Sequence, residues 1–223
     1  MARGSGADPA SGEELTARLV DAALQVLNEH GLGELTVRRV AEAAGSSTMG
    51  VYSRFGGRAG VLEALYRRVY AQMADAMAAV PSSSDPVADI VALALAYRAF
   101  ALEGPQRYAF MFADPLPDFA PGAGLRAEMV QAAFGPLLDA VRRAGATGAE
   151  KADGAPSANQ MATRASYCLW CVMHGLVGLE LTDVLRAPLT AWGITGEDDA
   201  AAERMYHAGV HAMIAGLELR ASG

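Results

Sequence analysis

Residues 35–55 read LTVRRVAEAAGSSTMGVYSRF, a pattern that predicts two short helices joined by a tight glycine turn. Thr36 is a hydroxyl residue able to accept a backbone N–H bond at the start of the first helix. Gly45 stands where a helix commonly ends in a left-handed residue, and Ser46 or Ser47 can cap the helix that follows. The turn is short enough to hold two helices at a steep angle, so the stretch predicts a helix-turn-helix.

The second helix of this unit is predicted to have an inner and an outer face. Val51 and Phe55 lie four residues apart and are expected to point inward. The outer face then carries side chains suited to the major groove of DNA, namely Thr48, Met49, Tyr52 and Ser53. A helix-turn-helix also occurs as plain helix packing, so the flanking residues are needed to choose between the two interpretations.

Apolar residues recur at helical spacing on both sides of the motif. The preceding helix ends at His30-Gly31 and has the stripe Leu15, Leu19, Ala22, Ala23, Val26 and Leu27. The following helix begins near Gly57-Arg58 and has the stripe Val61, Leu62, Leu65, Val69 and Met73. Three helices of this length make a small closed bundle, and the fourth leads away from it.

This layout resembles the TetR family of transcriptional regulators. The residues that match in order and spacing are Leu35, Thr36, Arg38, Val40, Ala41, Ala44, Gly45, Ser47, Tyr52, Phe55, Arg58 and Leu62. The resemblance implies a DNA-binding set of Thr36, Arg38, Ser46, Ser47, Thr48, Met49, Tyr52 and Arg58. Among these it implies phosphate contacts at Thr36, Ser47, Tyr52 and Arg58, and base or groove-edge contacts at Arg38, Thr48 and Met49.

Three positions depart from the family's usual residues. Met49 stands where a small residue is frequent, and Gly50 stands where Thr or Ala is frequent. Gly50 lowers the stability of its helix by about 1 kcal/mol relative to Ala. Arg58 replaces the more usual Lys, which keeps the charge and changes the geometry.

The charge of the chain is unevenly distributed. The formal net charge is −7, which argues against a general nucleic-acid coat protein. The first 70 residues carry eight arginines and eight acidic side chains, so this part is neutral and the remainder carries the excess. Local placement must therefore create any positive face.

The predicted organisation has four parts. Residues 1–11 are interpreted as a disordered arm, inert rather than a minor-groove arm that uses Arg3. The boundaries predicted next are 12–56 for the DNA-binding domain, 57–80 for a connecting helix and 81–223 for a ligand-binding and dimerisation domain. The chain shows no run of about 18 apolar residues and no signal-peptide pattern, so a cytoplasmic protein without a membrane partner is expected.

The second domain is expected to be helical throughout, since no alternating strand pattern appears. Its last two helices are predicted at roughly 160–186 and 198–220, after a break at 144–159, with the acidic run 197–199 as a helix-start signal. Both helices are apolar on more than one face, which predicts a homodimer formed through them.

The sequence around Trp170 and His174 resembles a TetR subfamily whose ligand domain carries a Trp-x-x-x-His-Gly signature. The aromatic and methionine residues that can wall a pocket for a small apolar effector are Tyr97, Phe100, Tyr108, Met111, Phe112, Met129, Phe134, Trp170 and Met173. The same residues can form ordinary core. His174 can likewise bind an effector or serve as a structural residue.

Cys168 and Cys171 have the spacing of a redox pair or of half a metal site. A zinc site needs four ligands and no second pair exists, so the thiols are interpreted as buried and inert. His207 and His211 do not complete a convincing cluster. No metal site and no cofactor are expected.

The sequence contains no phosphate-binding glycine loop, no Gly-x-Ser-x-Gly elbow and no His-Glu-x-x-His pair, so an enzyme is not predicted. The favoured function is a dimeric regulator, a repressor that binds a palindromic operator in double-stranded DNA and is released by the effector. The alternative is a helical carrier of small molecules whose helix-turn-helix domain no longer recognises DNA. The weakening of the second helix by Gly50 and the zero net charge of the first 70 residues keep that alternative open.

Overall fold

The structure is a computed structural model that describes residues 9–113, 116–145, 157–182 and 199–220. These residues form α-helices joined by turns, with one 3-10 turn at Leu32–Glu34 and no strand. In chain order the helices are α1 (Pro9–His30), α2 (Val37–Ala43), α3 (Thr48–Phe55), α4 (Arg58–Ala78), α5 (Pro86–Glu103), α6 (Pro105–Met111), α7 (Ala123–Arg143), α8 (Ala158–Leu181) and α9 (Asp199–Gly216). The predicted all-α fold class is confirmed. Within the described part of the chain, no helix is both long enough and apolar enough to cross a membrane.

The described residues divide into two compact units that are discontinuous in sequence. The first unit contains the residues up to Gln72 together with 104–129. The second contains 73–103 together with the residues from Val130 onward. α6 belongs to the first unit, where it packs against α1.

The boundaries predicted after residues 56 and 80 do not coincide with these units. A division into consecutive segments cannot describe these units, because α6 follows α5 in sequence and packs against α1 of the first unit. The roles assigned to the segments 12–56, 57–80 and 81–223 stay predictions.

The first unit contains the predicted helix-turn-helix. α1 packs on α2, and α2 packs on α3. The buried apolar side chains of α1 are those of the predicted stripe except the half-buried Leu15, namely Leu19, Ala22, Ala23, Val26 and Leu27. Burial of a large aliphatic side chain contributes roughly 1.5–3 kcal/mol, so this stripe holds α1 against the motif.

The first helix begins earlier than the sequence predicted. α1 starts at Pro9, so residues 9–11, placed in the disordered arm, are helical. Residues 1–8, which include the candidate minor-groove residue Arg3, lie outside the described residues.

In the second unit, α5 packs against α8 and α9, and α8 packs against α9. A Cβ atom at Gly209 of α9 would lie 2.7 Å from Cδ1 of Leu176 on α8. The missing side chain therefore lets the last two helices approach closely. Tyr206, almost fully buried, donates its hydroxyl proton to the carbonyl of Ala94 at 2.7 Å and so joins α9 to α5.

The break predicted before the last two helices is bounded as expected. α7 ends at Arg143, and α8 begins at Ala158. A capping box starts α8, in which Gln160 N donates to Ser157 Oγ and Ser157 N donates to Gln160 Oε1. Residues 146–156 lie outside the described residues.

The last two helices are shorter than predicted at their ends. α8 ends at Leu181, and α9 runs from Asp199 to Gly216. Residues 183–198, with the acidic residues Glu197 and Asp198 of the predicted helix start, lie outside the described residues.

Within the single chain that the structure describes, the predicted burial of the two cysteines is wrong. Cys168 and Cys171 are both exposed, free thiols. They lie on α8 beside Leu169 and Met173, which are fully buried, but on the other side of the helix. Apolar neighbours in sequence show that a helix is partly buried, and they do not show which of its faces is packed.

Asp89 is a buried carboxylate that joins the start of α5 to the end of α7. It accepts hydrogen bonds from Ser83 N at 2.9 Å, from Ser83 Oγ at 2.6 Å and from Arg143 Nη2 at 2.7 Å. The two bonds from Ser83, followed by the one from Arg143, lower the pKa of Asp89 to about 2. Because these partners bind the ionised form, folding is linked to its deprotonation.

We expect Asp89→Asn to reduce the pH dependence of stability in acid. A carboxylate with a lowered folded-state pKa stabilises the fold above its unfolded pKa of about 3.9 and loses that contribution as the pH falls toward 2. Thermal unfolding measured from pH 6 to pH 2 should show a Tm difference between the two proteins that is largest at pH 6 and shrinks below pH 4. A constant Tm difference over the whole range would contradict this assignment.

Candidate functional site

Thr36 fixes the beginning of α2. Its extended backbone places the side-chain oxygen 3.2 Å from the donating amide of Arg39. Leu35, directly before it, is fully buried, while Thr36 itself is exposed. The predicted N-cap is confirmed, and it leaves the threonine hydroxyl at the surface.

The turn between α2 and α3 has the predicted glycine and serine. Gly45 has φ +59°, and the amide of Ser46 donates to the carbonyl of Ala41 at 2.8 Å. Of the two candidate caps, Ser47 performs the role, because its hydroxyl accepts from the amide of Gly50 at 3.1 Å. Gly56 ends α3 with φ +71°. Both ends of this helix are therefore set by local chemistry.

The faces of α3 are as predicted. Val51 is fully buried, and Phe55 is partly buried. On the outer side Met49 is 74% exposed and Tyr52 is 55% exposed, with Thr48 and Ser53 also at the surface. Met49 and Tyr52 lie on adjacent turns, and together they form a partly apolar surface that is not covered by other parts of the first unit.

Gly50 lies in a confined position on the inner side of this turn. A Cβ atom there would lie 2.7 Å from Oγ of Ser46. The hydroxyl of Ser46 would have to rotate to accept any larger residue.

Two arginines stand on the exposed side of α2. Nη2 of Arg39 lies 2.9 Å from Oε2 of Glu34, which neutralises it locally. Among the described residues no carboxylate lies within ion-pair distance of Arg38, so its guanidinium is available to another molecule.

Arg58 is engaged within the first unit. Its Nε donates to the carbonyl of Leu35 at 2.6 Å, and its Nη1 lies 2.6 and 2.7 Å from the two carboxylate oxygens of Asp118. Nη2 is directed to the carbonyl of Leu32 at 3.5 Å. The hydrogen bond from Arg58 lowers the pKa of Asp118. The other seven predicted DNA-binding residues lie within 36–52, whereas the guanidinium of Arg58 is held by contacts within the protein and its side chain is 28% exposed.

The predicted ligand residues fall in both units. Six belong to the second unit, namely Tyr97, Phe100, Phe134, Trp170, Met173 and His174. There the ring of Phe134 lies 5.8 Å from that of Tyr97 and 4.5 Å from that of Trp170. The Tyr97 hydroxyl lies 3.2 Å from Nδ1 of His174, within hydrogen-bond distance. Burial lowers the pKa of His174, which favours its neutral form.

The remaining four predicted ligand residues, Tyr108, Met111, Phe112 and Met129, belong to the first unit. The rings of Tyr108 and Phe112 lie 5.0 Å apart. Tyr108 and Met111 are buried there, while Met129 and Phe112 are partly exposed. Two of these four residues are therefore part of the core of the first unit, and a ligand-binding role for all four stays a prediction.

A buried ion pair in the second unit was not predicted. Nη2 of Arg98 donates to Oε1 of Glu180 at 2.6 Å, and both side chains are only 12% exposed. Arg98 also approaches Glu203 at 3.4 Å, so it joins α5 to α8 and α9. The sequence signal that could have predicted this pair is a charged residue within an apolar stretch of helix, because a buried charge must find a partner.

His207 and His211 stack on α9 with ring centroids 6.1 Å apart. In the part of the chain that the structure describes, no group of three or more His, Cys, Asp or Glu side chains is arranged to hold a metal ion.

Residues 19–65 match the family described as bacterial regulatory proteins, tetR family, and residues 90–208 match the tetracyclin repressor-like C-terminal domain. The chain belongs to the tetR family of bacterial regulatory proteins. The family indicated by the N-terminal motif is thereby confirmed. The subfamily with the Trp-x-x-x-His-Gly signature is not confirmed and stays a prediction.

Relatives in the family differ considerably in sequence. The HTH-type transcriptional regulator Rv1816 of Mycobacterium tuberculosis is 28% identical over 141 residues, which are 61% of this chain and 59% of that protein. The transcriptional regulator SCO7222 from Streptomyces coelicolor is 21% identical, with a TM-score of 0.63 over 90% of this chain and 95% of that one. The multidrug binding protein EbrR, solved with imidazole, is 21% identical, with a TM-score of 0.61 over 96% of each chain. The two solved structures share the fold with this chain.

Removal of one partner of the buried ion pair should destabilise the protein more than removal of both. Arg98→Met leaves Glu180 buried without its main partner, and we expect a loss of about 2–4 kcal/mol in the free energy of unfolding. The double variant Arg98→Met with Glu180→Met should recover a large part of that loss. Urea unfolding of the three proteins at pH 7 measures the difference, and equal losses in the single and double variants would contradict it.

Proposed function

We propose that this chain is a one-component transcriptional regulator, a repressor in the cytoplasm that binds a palindromic operator as a homodimer and is released by a small apolar effector. The observation that carries the proposal is the outer face of α3. Met49 and Tyr52 are exposed there on a helix whose inner side is fixed by Val51. Membership of a family of bacterial regulatory proteins supports the same function.

In this function α3 lies in the major groove, with Thr48 and Met49 near the base edges and Arg38 at the groove edge. Thr36 and Ser47 position the protein on the phosphates. Each of these hydroxyls accepts a backbone N–H bond through its oxygen, from Arg39 and Gly50 respectively. The hydroxyl proton is not used by the cap and remains available to a phosphate oxygen. The same two residues can thus cap a helix and bind DNA.

The homodimer is proposed to form through α8 and α9. Tyr167 and Leu179 of α8 are 61% and 45% exposed, unusually high for large apolar side chains. The exposed residues of α9 include three alanines, Ala208, Ala212 and Ala215. A second copy placed on this face would give a four-helix bundle, and its two-fold axis would require a palindromic operator.

The effector is proposed to bind the second unit near Tyr97 and His174. The hydrogen-bonding pair lies beside the rings of Phe134 and Trp170. Such a group favours a mainly apolar molecule with one polar atom that can bond to a neutral imidazole or a phenol. EbrR, which shares the fold, is described as a multidrug binding protein. To reverse operator occupancy, the effector must prefer the released state by roughly 5.5 kcal/mol.

Selection of bound sequences from a random duplex library tests the proposal directly. We expect enrichment of a palindrome whose half-sites are about 10–10.5 base pairs, or a multiple of that, apart. Selection at two salt concentrations separates specific from general binding, because phosphate contacts alone weaken steeply with salt. Binding without any enriched sequence would contradict the regulator and favour the helical carrier.

Two substitutions should remove operator binding without unfolding the protein. Arg38→Ala and Tyr52→Ala change side chains on the exposed surface of the motif, and each should weaken operator binding by about 1–3 kcal/mol per half-site if it removes a specific contact. Arg126→Ala is the matched control, since it removes an exposed arginine from α7 in the same unit. Anisotropy of a labelled operator gives the affinities. Equal affinities of all three variants would contradict the assigned interface.

A further inference from the structure

Asp118 is presented by a small turn on the segment between α6 and α7. Leu116 and Phe119 exchange two backbone hydrogen bonds, at 2.9 and 3.2 Å. The ring of Phe119 packs against Tyr66 at 5.8 Å and against Phe110 at 6.4 Å. The carboxylate of Asp118 therefore stands on an anchored turn within the first unit.

Its partner, Arg58, stands where the helix-turn-helix meets α4. Only Gly56 and Gly57 separate it from the end of α3, and its Nε binds the carbonyl of Leu35, the residue before the Thr36 cap. The guanidinium thus lies at the start of α2 and just after α3. It is 28% exposed, and Asp118 is 39% exposed, so solvent reaches the pair.

We propose that Asp118 competes with DNA phosphate for Arg58 and thereby lowers the affinity of the first unit for DNA. The inference rests on the proposed function, because it requires that the exposed faces of α2 and α3 bind DNA. While Asp118 holds Nη1, the charge of Arg58 is neutralised inside the protein. DNA can use that charge only by displacing the carboxylate.

A guanidinium binds carboxylates and phosphates with the same planar arrangement of donors, so one oxyanion can replace the other. Nε of Arg58 remains on Leu35 in either state, so the side chain does not have to leave its place. The exchange releases counterions from the DNA only when the arginine reaches a phosphate. In this scheme Asp118 does not itself bind DNA and affects DNA binding only through Arg58.

The test compares Asp118→Asn with the unaltered protein on a selected operator, by anisotropy between 0.05 and 0.3 M salt. We expect the affinity of the dimer for the operator at 0.1 M salt to rise by roughly 3- to 20-fold. This corresponds to the loss of one partly exposed ion pair in the first unit of each copy. The slope of log K against log salt should steepen by at most about 0.9 for each DNA-binding unit, in proportion to the fraction of bound units in which the carboxylate still holds Arg58 in the unaltered protein. Arg58→Gln in the same background should abolish both gains.

Asp21→Asn is the matched control, because Asp21 pairs with Arg68 of α4 at 2.9 Å in the same unit. It makes the same chemical change and should leave affinity and salt slope within about two-fold of the unaltered protein, as expected of a surface pair. A thermal melt checks folding, and Asp118→Ser is the second variant if Asp118→Asn melts early.

The outcomes separate the inference from the proposed function. Unchanged or weaker binding in both folded Asp118 variants, or a gain in affinity that survives Arg58→Gln, overturns the competition and identifies Asp118 as a structural clamp. An equal gain in Asp21→Asn overturns it too, because a general loss of negative charge would then explain the effect. If the unaltered protein selects no DNA sequence, the proposed function fails and the inference fails with it.

Discussion

Two helices of seven and eight residues carry the candidate DNA interface, and neither is long enough to persist by itself in water. Their ends are fixed instead by Thr36 and Ser47 at the beginnings and by glycines with positive φ, Gly45 and Gly56, beyond the last residues. Val40 and Val51, both fully buried, then fix the rotation of each helix about its axis. The orientation of every outward side chain on α2 and α3 depends on these caps and on these two valines.

Four arginines of the first unit are paired with carboxylates of the same unit. Arg39 binds Glu34, Arg58 binds Asp118, Arg67 binds Glu63, and Arg68 binds Asp21, all within 3.2 Å. A unit arranged in this way attracts DNA weakly at long range, since a cation beside a carboxylate contributes little field beyond a Debye length. Arg38 has no such partner among the described residues. Specific contacts of α2 and α3, rather than a general positive surface, must then supply most of the affinity for an operator.

The features that the sequence predicted correctly are those set by neighbouring residues. Thr36 and Ser47 cap helices through the amides three residues later, and the stripe of α1 follows the helical period. The pairing of Arg58 with Asp118 spans 60 residues, and the segment around Asp118 carries prolines rather than a periodic pattern, so no local signal joins the two. The exposure of Cys168 and Cys171 depended on which side of α8 meets α5 and α9. The division of the ligand residues between two units depended on the return of α6 to α1.

The proposed effector site near Tyr97 and the turn that carries Asp118 are joined by a short length of chain. Tyr97 lies on α5 and Phe134 lies on α7, and the segment that carries Asp118 runs between these two helices in sequence. A molecule bound near Tyr97 and Phe134 would contact α5 and α7, and of these two helices only α7 continues directly into the segment that carries Asp118. Such a molecule changes DNA affinity only if it binds more tightly to one of two states, Arg58 held by Asp118 or Arg58 released. A releasing effector must favour the held state, because that is the state in which the carboxylate occupies the guanidinium that a phosphate would need.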